Sequence, residues 1–180
     1  MGNTLEEFDA VIKKCRSLLV QKHKDYGDAW RIMRLPSITD QIMIKAFRIR
    51  SVEMKGTNTV GESIENEFVG IINYSLMALM QHESETTEGE GAWSETMLLE
   101  NYNQAQLSCR SLLADKNDDY AEIWRAMRVS SMTDMIIMKL KRIKQLEDKQ
   151  GKTLVSEGVD AGYRDIVNYS VFALILLGYV

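Results

Sequence analysis

Apolar and polar positions along this chain follow a pattern that is written twice. In the first half, three segments read as helices: about Thr4 to Lys24, from Ser37 to just before Gly56, and about Glu62 to Gln81. The same three recur from Ser94, Ser131 and Ser156, each a good N-cap because a serine hydroxyl accepts from an orphan amide of the first turn. Thr4 and Glu7 are spaced as a capping box. Asp40 is expected in the first turn of the second helix and Lys55 in its last, where each charge complements the helix dipole. The third segments are the most apolar, Phe68 to Met80 and Ile166 to Leu177, and they are expected to form a shared core. Leu, Met, Lys, Glu and Ala recur, while one proline and 11 glycines leave few breaks, so the fold class is all-α.

The repetition is explicit at the level of residues. The segment from Cys15 to Arg50 aligns with Cys109 to Lys144, with 19 of 36 positions identical. After a one-residue insertion, Glu62 to Met80 aligns with Glu157 to Ile175. An internally duplicated three-helix unit is the consequence, occupying 1–81 and 94–180 with an acidic linker over 82–93. Two such units suggest a pseudo-two-fold bundle, the covalent version of a homodimer, either as a monomer or as a further homodimer. Met33, Met43, Met77, Met80, Met127, Met132, Met135 and Met138 read as core filling.

The formal net charge of -4 gives no reason to expect direct nucleic-acid binding or an anionic membrane as partner. Its distribution is uneven: Lys13 to Lys55 holds 11 Lys and Arg against 4 acids, whereas Gly56 to Ser108 holds 9 glutamates and no Lys or Arg. Folding these segments together juxtaposes cations with carboxylates, as magnesium-nucleotide sites require and as salt-bridged surfaces also do. The uncharged stretch from Ile166 to Val180 is 15 residues, shorter than the ~20 of a membrane span, and reads as a buried helix. The start has neither a basic nor an apolar signal region. Cys15 and Cys109 occupy equivalent positions among apolar neighbours and read as core residues of a cytoplasmic protein.

Polar residues kept by both copies mark the candidate chemistry. On the second helix, Asp40, Lys45 and Arg48 fall within roughly 140° of arc. With Lys139 and Arg142 in the other copy, such cations suit a phosphate grip, Arg bidentately and Lys as a point charge. The same spacing also suits a solvated stripe of internal ion pairs. On the third helix, Glu62, Glu65 and Asn73 fall within roughly 80°. In the second copy Glu157, Asp160 and Asn168 match them, and with the added Asp165 they fall within roughly 140°. Paired carboxylates with this spacing could hold Mg²⁺ or serve only as dipole-favoured first-turn acids. Asn73 and Asn168 stand inside apolar runs and need partners, either at a site or between helices. Lys22 and Asp25 precede Tyr26 and Trp30, aromatics that suit either a nucleobase or the core.

The run Lys22, Asp25, Tyr26, Gly27 and Trp30, then Asp40, Lys45 and Arg48, then Asn73 and Tyr74 resembles the nucleotide modification associated domain family, a small helical domain of nucleotide metabolism. The resemblance covers both copies. A more distant one is to the all-α nucleoside triphosphate pyrophosphohydrolases of the MazG and dimeric dUTPase type. These hold Mg²⁺ through ExxE on one helix and ExxD on the next; Glu62 to Glu65 matches the first motif and Glu157 to Asp160 resembles it. That likeness implies Glu62, Glu65, Glu157 and Asp160 as metal ligands and Glu62, Glu65 and Asp165 as catalytic. Lys22, Asp25, Tyr26, Trp30, Asp40, Lys45, Arg48, Asn73, Lys139, Arg142 and Asn168 would line the nucleotide. The consecutive-helix partner motif is absent, and Gly70 stands opposite Asp165 in the other copy. A non-catalytic nucleotide-binding or regulatory module and a helical interaction domain remain the alternatives.

Overall fold

Asn3 opens the first helix, α1 (Thr4–Tyr26), its side-chain oxygen accepting from the amides of Leu5 and Glu6. The capping box expected at Thr4 and Glu7 does not form. Thr4 is already helical and donates its hydroxyl to Glu122, while Glu7 is taken by Arg125, both partners belonging to the other repeat. The computed structural model that gives this architecture describes residues 3–57, 61–84, 92–150 and 158–180. Five further helices follow: α2 (Leu35–Lys55), α3 (Ile64–Ser84), α4 (Glu95–Tyr120), α5 (Val129–Asp148) and α6 (Val159–Leu176). A 3-10 turn joins α1 to α2 (Ala29–Ile32), and another joins α4 to α5 (Ile123–Ala126).

Helix starts depart from the sequence expectation in physically simple ways. Pro36 lies in the first turn of α2, where its missing amide costs nothing, so α2 begins before Ser37. Asp40 consequently sits past the first turn and pairs instead with Lys144 on α5. In the same way α5 starts at Val129 behind Arg128 rather than at Ser131. Ser94 does cap α4, accepting from the Met97 amide at 3.2 Å. Ser156 lies outside the described residues, and Gly158 precedes α6.

The third helices meet at the centre, as their composition requires. Between Phe68 and Met80 every residue of α3 is buried except Gly70 and Tyr74, so the helix needs partners all round. It packs on α2 and α6, while α6 packs on α3 and α5. The α2 and α5 helices touch each other, and α1 and α4 lie together across both central helices. These contacts exchange into themselves when the repeats are exchanged, which is the pseudo-two-fold. Polar pairs obey it too: Thr133 donates to Glu53 at 2.9 Å and Thr39 to Glu147 at 2.6 Å. Asp134 faces Arg50 at 3.8 Å where Asp40 faces Lys144.

Both cysteines are free and buried, and burial pushes each thiol up to about 12, so neither is a nucleophile at neutral pH. Of the methionines expected as core filling, Met77, Met80 and Met132 are buried, but Met138 is 55% exposed because α5 turns that face outward. Residues 85–91 of the expected linker lie outside the described residues, yet its last residue, Trp93, is buried. The Trp93 ring meets Trp30 edge-on at 5.8 Å, and the Arg31 guanidinium lies 4.3 Å over it.

The turn after each first helix differs in cost between repeats. Gly27 ends α1 at φ 62 and ψ -147, a region open only to glycine. Its counterpart Ala121 takes φ 48, followed by Glu122 at φ 55, so two side chains stand in left-handed conformation. The salt bridge to Arg125 and the Thr4 hydroxyl hold Glu122 there and draw its carboxyl down to about 2. Ala121→Gly is expected to raise stability by roughly 0.5–1 kcal/mol, relief of left-handed strain exceeding the added unfolded-chain entropy. A thermal melt checks this; an unchanged or lower midpoint contradicts it.

Candidate functional site

The helical positions that bring cations of α2 and α5 against α3 and α6 create one charged cluster per repeat. In the first, Lys45 reaches Glu67 at 3.3 Å and Arg48 also pairs with Glu67. Arg48 additionally approaches Glu62 at 3.4 Å. Glu67 is only 5% exposed, so these two cations stand in for the water its carboxylate has lost. In the second cluster the buried acid is Asp165, gripped by Lys139 and by Lys116 of α4, both at 2.6 Å and each on a different oxygen.

The two clusters are not copies. The position of Glu67 is Gly162 in the second repeat, and the position of Asp165 is Gly70 in the first. Acid and glycine have exchanged places across one helical turn. Gly70 makes room for this: a Cβ there would stand 2.7 Å from Lys45 Cε, so the lysine lies across the glycine on its way to Glu67. In the second repeat Lys139 stops at Asp165. Beside it, between α4 and α6, opens a cleft of ≈ 460 Å³ lined by Lys116, Arg164, Asp165, Asp115, Ser108 and Ser111.

The buried asparagines tie helices together. Asn73 donates to the Cys15 carbonyl at 3.0 Å and accepts from the Tyr102 hydroxyl at 3.2 Å, and Asn168 donates to the Cys109 carbonyl at 3.1 Å. The residue equivalent to Tyr102 is Phe8, which has no hydroxyl, and among the described residues the side-chain oxygen of Asn168 is left without a hydrogen bond. Phe8→Tyr is therefore expected to stabilise the fold by about 1 kcal/mol. Chemical denaturation measures it, and a loss of stability would mean that the second core has no room for the hydroxyl.

The other expected site residues are exposed, packed on the core or already partnered. Lys22, Asp25 and Tyr26 are exposed at the end of α1, Tyr26 to 75%. Trp30 packs on the core, leaving Tyr26 as the aromatic with an open face. Asp40 joins α2 to α5 through Lys144 rather than standing with Lys45 and Arg48. Arg142 is exposed and lines an open groove with Arg50, Lys141 and Asp134. Asp160 pairs with Arg164, Glu65 is half-buried in the first turn of α3, and Glu157 lies outside the described residues.

Among the described residues no three His, Cys, Asp or Glu side chains come together as a cation shell. The carboxylates Glu62, Glu67, Asp160 and Asp165 each face a Lys or Arg of this chain, so a metal at any of them would have to compete with that cation. Glu67 is a site residue that a search for acids kept by both copies passes over, whereas Lys116 is the kept counterpart of Lys22. The exchange of Glu67 with Gly162 and of Gly70 with Asp165, visible on alignment, is the signal that finds Glu67.

Among the described residues no helix is long and apolar enough to cross a membrane. The family described as nucleotide modification associated domain 1 matches the chain twice, over residues 22–82 and 116–177. No curated protein and no solved structure matches the chain.

Proposed function

The chain belongs to the nucleotide modification associated domain 1 family, and from that premise we propose that it binds a nucleotide, holding its phosphates with the cations of α2. The observation that carries this reading is the paired grip: in each repeat two cations converge on one buried carboxylate. Two cations around a pair of anionic oxygens is the arrangement a phosphate group also needs. Lys45 supplies the charge for the phosphate while Arg48 holds Glu67 beside it, and exposed Tyr26 supplies a ring for a base.

A second reading is Mg²⁺-dependent cleavage of a nucleoside triphosphate to monophosphate and pyrophosphate. It is favoured by Glu62 and Glu65, three residues apart at the start of α3, since Mg²⁺ commonly takes one or two carboxylates together with phosphate oxygens. Arg48 already holds Glu62, so this reading requires the arginine to turn from the carboxylate to the phosphate.

A panel of nucleoside and deoxynucleoside triphosphates, titrated calorimetrically and then assayed for pyrophosphate release with and without Mg²⁺, separates these readings. Saturable binding without release supports the binding module. Metal-dependent release from particular members, lost in Glu62→Gln with Glu65→Gln, supports the enzyme. No binding by any member overturns both.

A further inference from the structure

The exchanged acids say more about where an anion would sit. In the second repeat the Asp165 carboxylate lies between Lys116 of α4 and Lys139 of α5, one oxygen on each at 2.6 Å. The pseudo-two-fold carries these three positions onto Lys22 of α1, Gly70 of α3 and Lys45 of α2. The same two lysines are kept, and the acid between them is gone. We propose that the first repeat takes a phosphate group between Lys22 and Lys45, at the place the Asp165 carboxylate fills in the second, so that the chain has one anion site rather than two. Asp165 is a built-in counter-anion that closes the second site. This rests on the nucleotide-binding reading above and adds to it the position of the phosphate and the number of sites.

The first repeat is arranged to allow the change. Lys22 is exposed and makes no ion pair among the described residues. Lys45 spans Gly70 with its flexible end, Cε 2.7 Å from where a Cβ would stand. It leans to Glu67, and Glu67 keeps Arg48 if Lys45 swings away. No buried charge is stranded by that swing. In the second repeat the corresponding swing has no second acid to leave, because Gly162 stands where Glu67 would be.

The test is a calorimetric titration with inorganic tripolyphosphate at low ionic strength, which reads the phosphate site without regard to base or sugar. Wild type is expected to take one equivalent. Gly70→Asp restores the counter-anion, and its affinity is expected to fall roughly 10- to 100-fold, the loss that goes with one charged contact. Asp165→Gly is expected to take two equivalents. Two equivalents in wild type, unchanged affinity in folded Gly70→Asp, or one equivalent in Asp165→Gly would overturn the proposal. Should Gly70→Asp fail to melt cooperatively, the count in Asp165→Gly decides alone. Tripolyphosphate binding with this pattern but no preference for nucleotides would leave the site standing and remove the nucleotide reading. Nucleotide binding that ignores both substitutions would do the reverse.

Discussion

Replacing Lys45 and Arg48 together by methionine is expected to destabilise the protein by about 3 kcal/mol, and adding Glu67→Gln is expected to recover most of that loss. Glu67 is 5% exposed, and Lys45 and Arg48 are its two cationic partners. Removing both leaves a desolvated carboxylate with nothing to compensate it, the costliest way to break a buried ion pair. The estimate is set at the low end of the usual range because the two cations themselves are about a quarter exposed, at 26% and 24% of their side chains. Glutamine keeps the shape and removes the charge, so the triple variant trades a charged network for a neutral one. Urea denaturation of the three proteins gives the comparison. A double variant as stable as wild type would mean that Glu67 reaches water when its partners are gone.

Producing the first repeat without the second is expected to have a larger effect: residues 1–84 alone will not be a folded monomer. The α3 helix is buried all round between Phe68 and Met80, and one of its neighbours is α6 of the other repeat. Exposing even four large side chains of such a helix costs roughly 6–12 kcal/mol at about 1.5–3 each, comparable with the roughly 5–15 kcal/mol that holds a whole domain together. Circular dichroism with sedimentation should find either an unfolded chain or self-association that rebuilds the pseudo-two-fold as a true one. A cooperative, monomeric melt would contradict the shared core.

The helical class and the duplication were legible because they are local and periodic. Helix formers, the apolar run of the third segments and the aligned copies all point the same way. What misled the sequence reading was contact between the repeats. Thr4 and Glu7 have the right spacing to cap their own helix, but Glu122 and Arg125 from the other copy engage them first. Asp40 has the right spacing to join Lys45 and Arg48, but Lys144 holds it across the two-fold. Helical arcs describe one helix and are silent about which neighbour faces it.

The candidate site was half legible for a related reason. Lys45, Arg48, Lys139 and Asp165 were found because the cations are kept in both copies or because an acid had been gained. Glu67 was passed over because its twin is a glycine, although Gly70 and Asp165 show the opposite exchange three residues on. Compensation of this kind hides from any rule that asks each position to match. The asparagines Asn73 and Asn168 were seen but not resolved between a site and a tie. Their bonds to the Cys15 and Cys109 carbonyls make them ties in this structure.

Binding of a labelled nucleoside triphosphate to wild type and to the triple variant with Lys45→Met, Arg48→Met and Glu67→Gln tests the central claim most directly, since the variant removes the grip while sparing the fold. Saturable binding by wild type and at least tenfold weaker binding by the variant, roughly the loss of the Lys45 contact, is the predicted result. Equal affinity in both folded proteins would contradict it and place any nucleotide elsewhere on the chain.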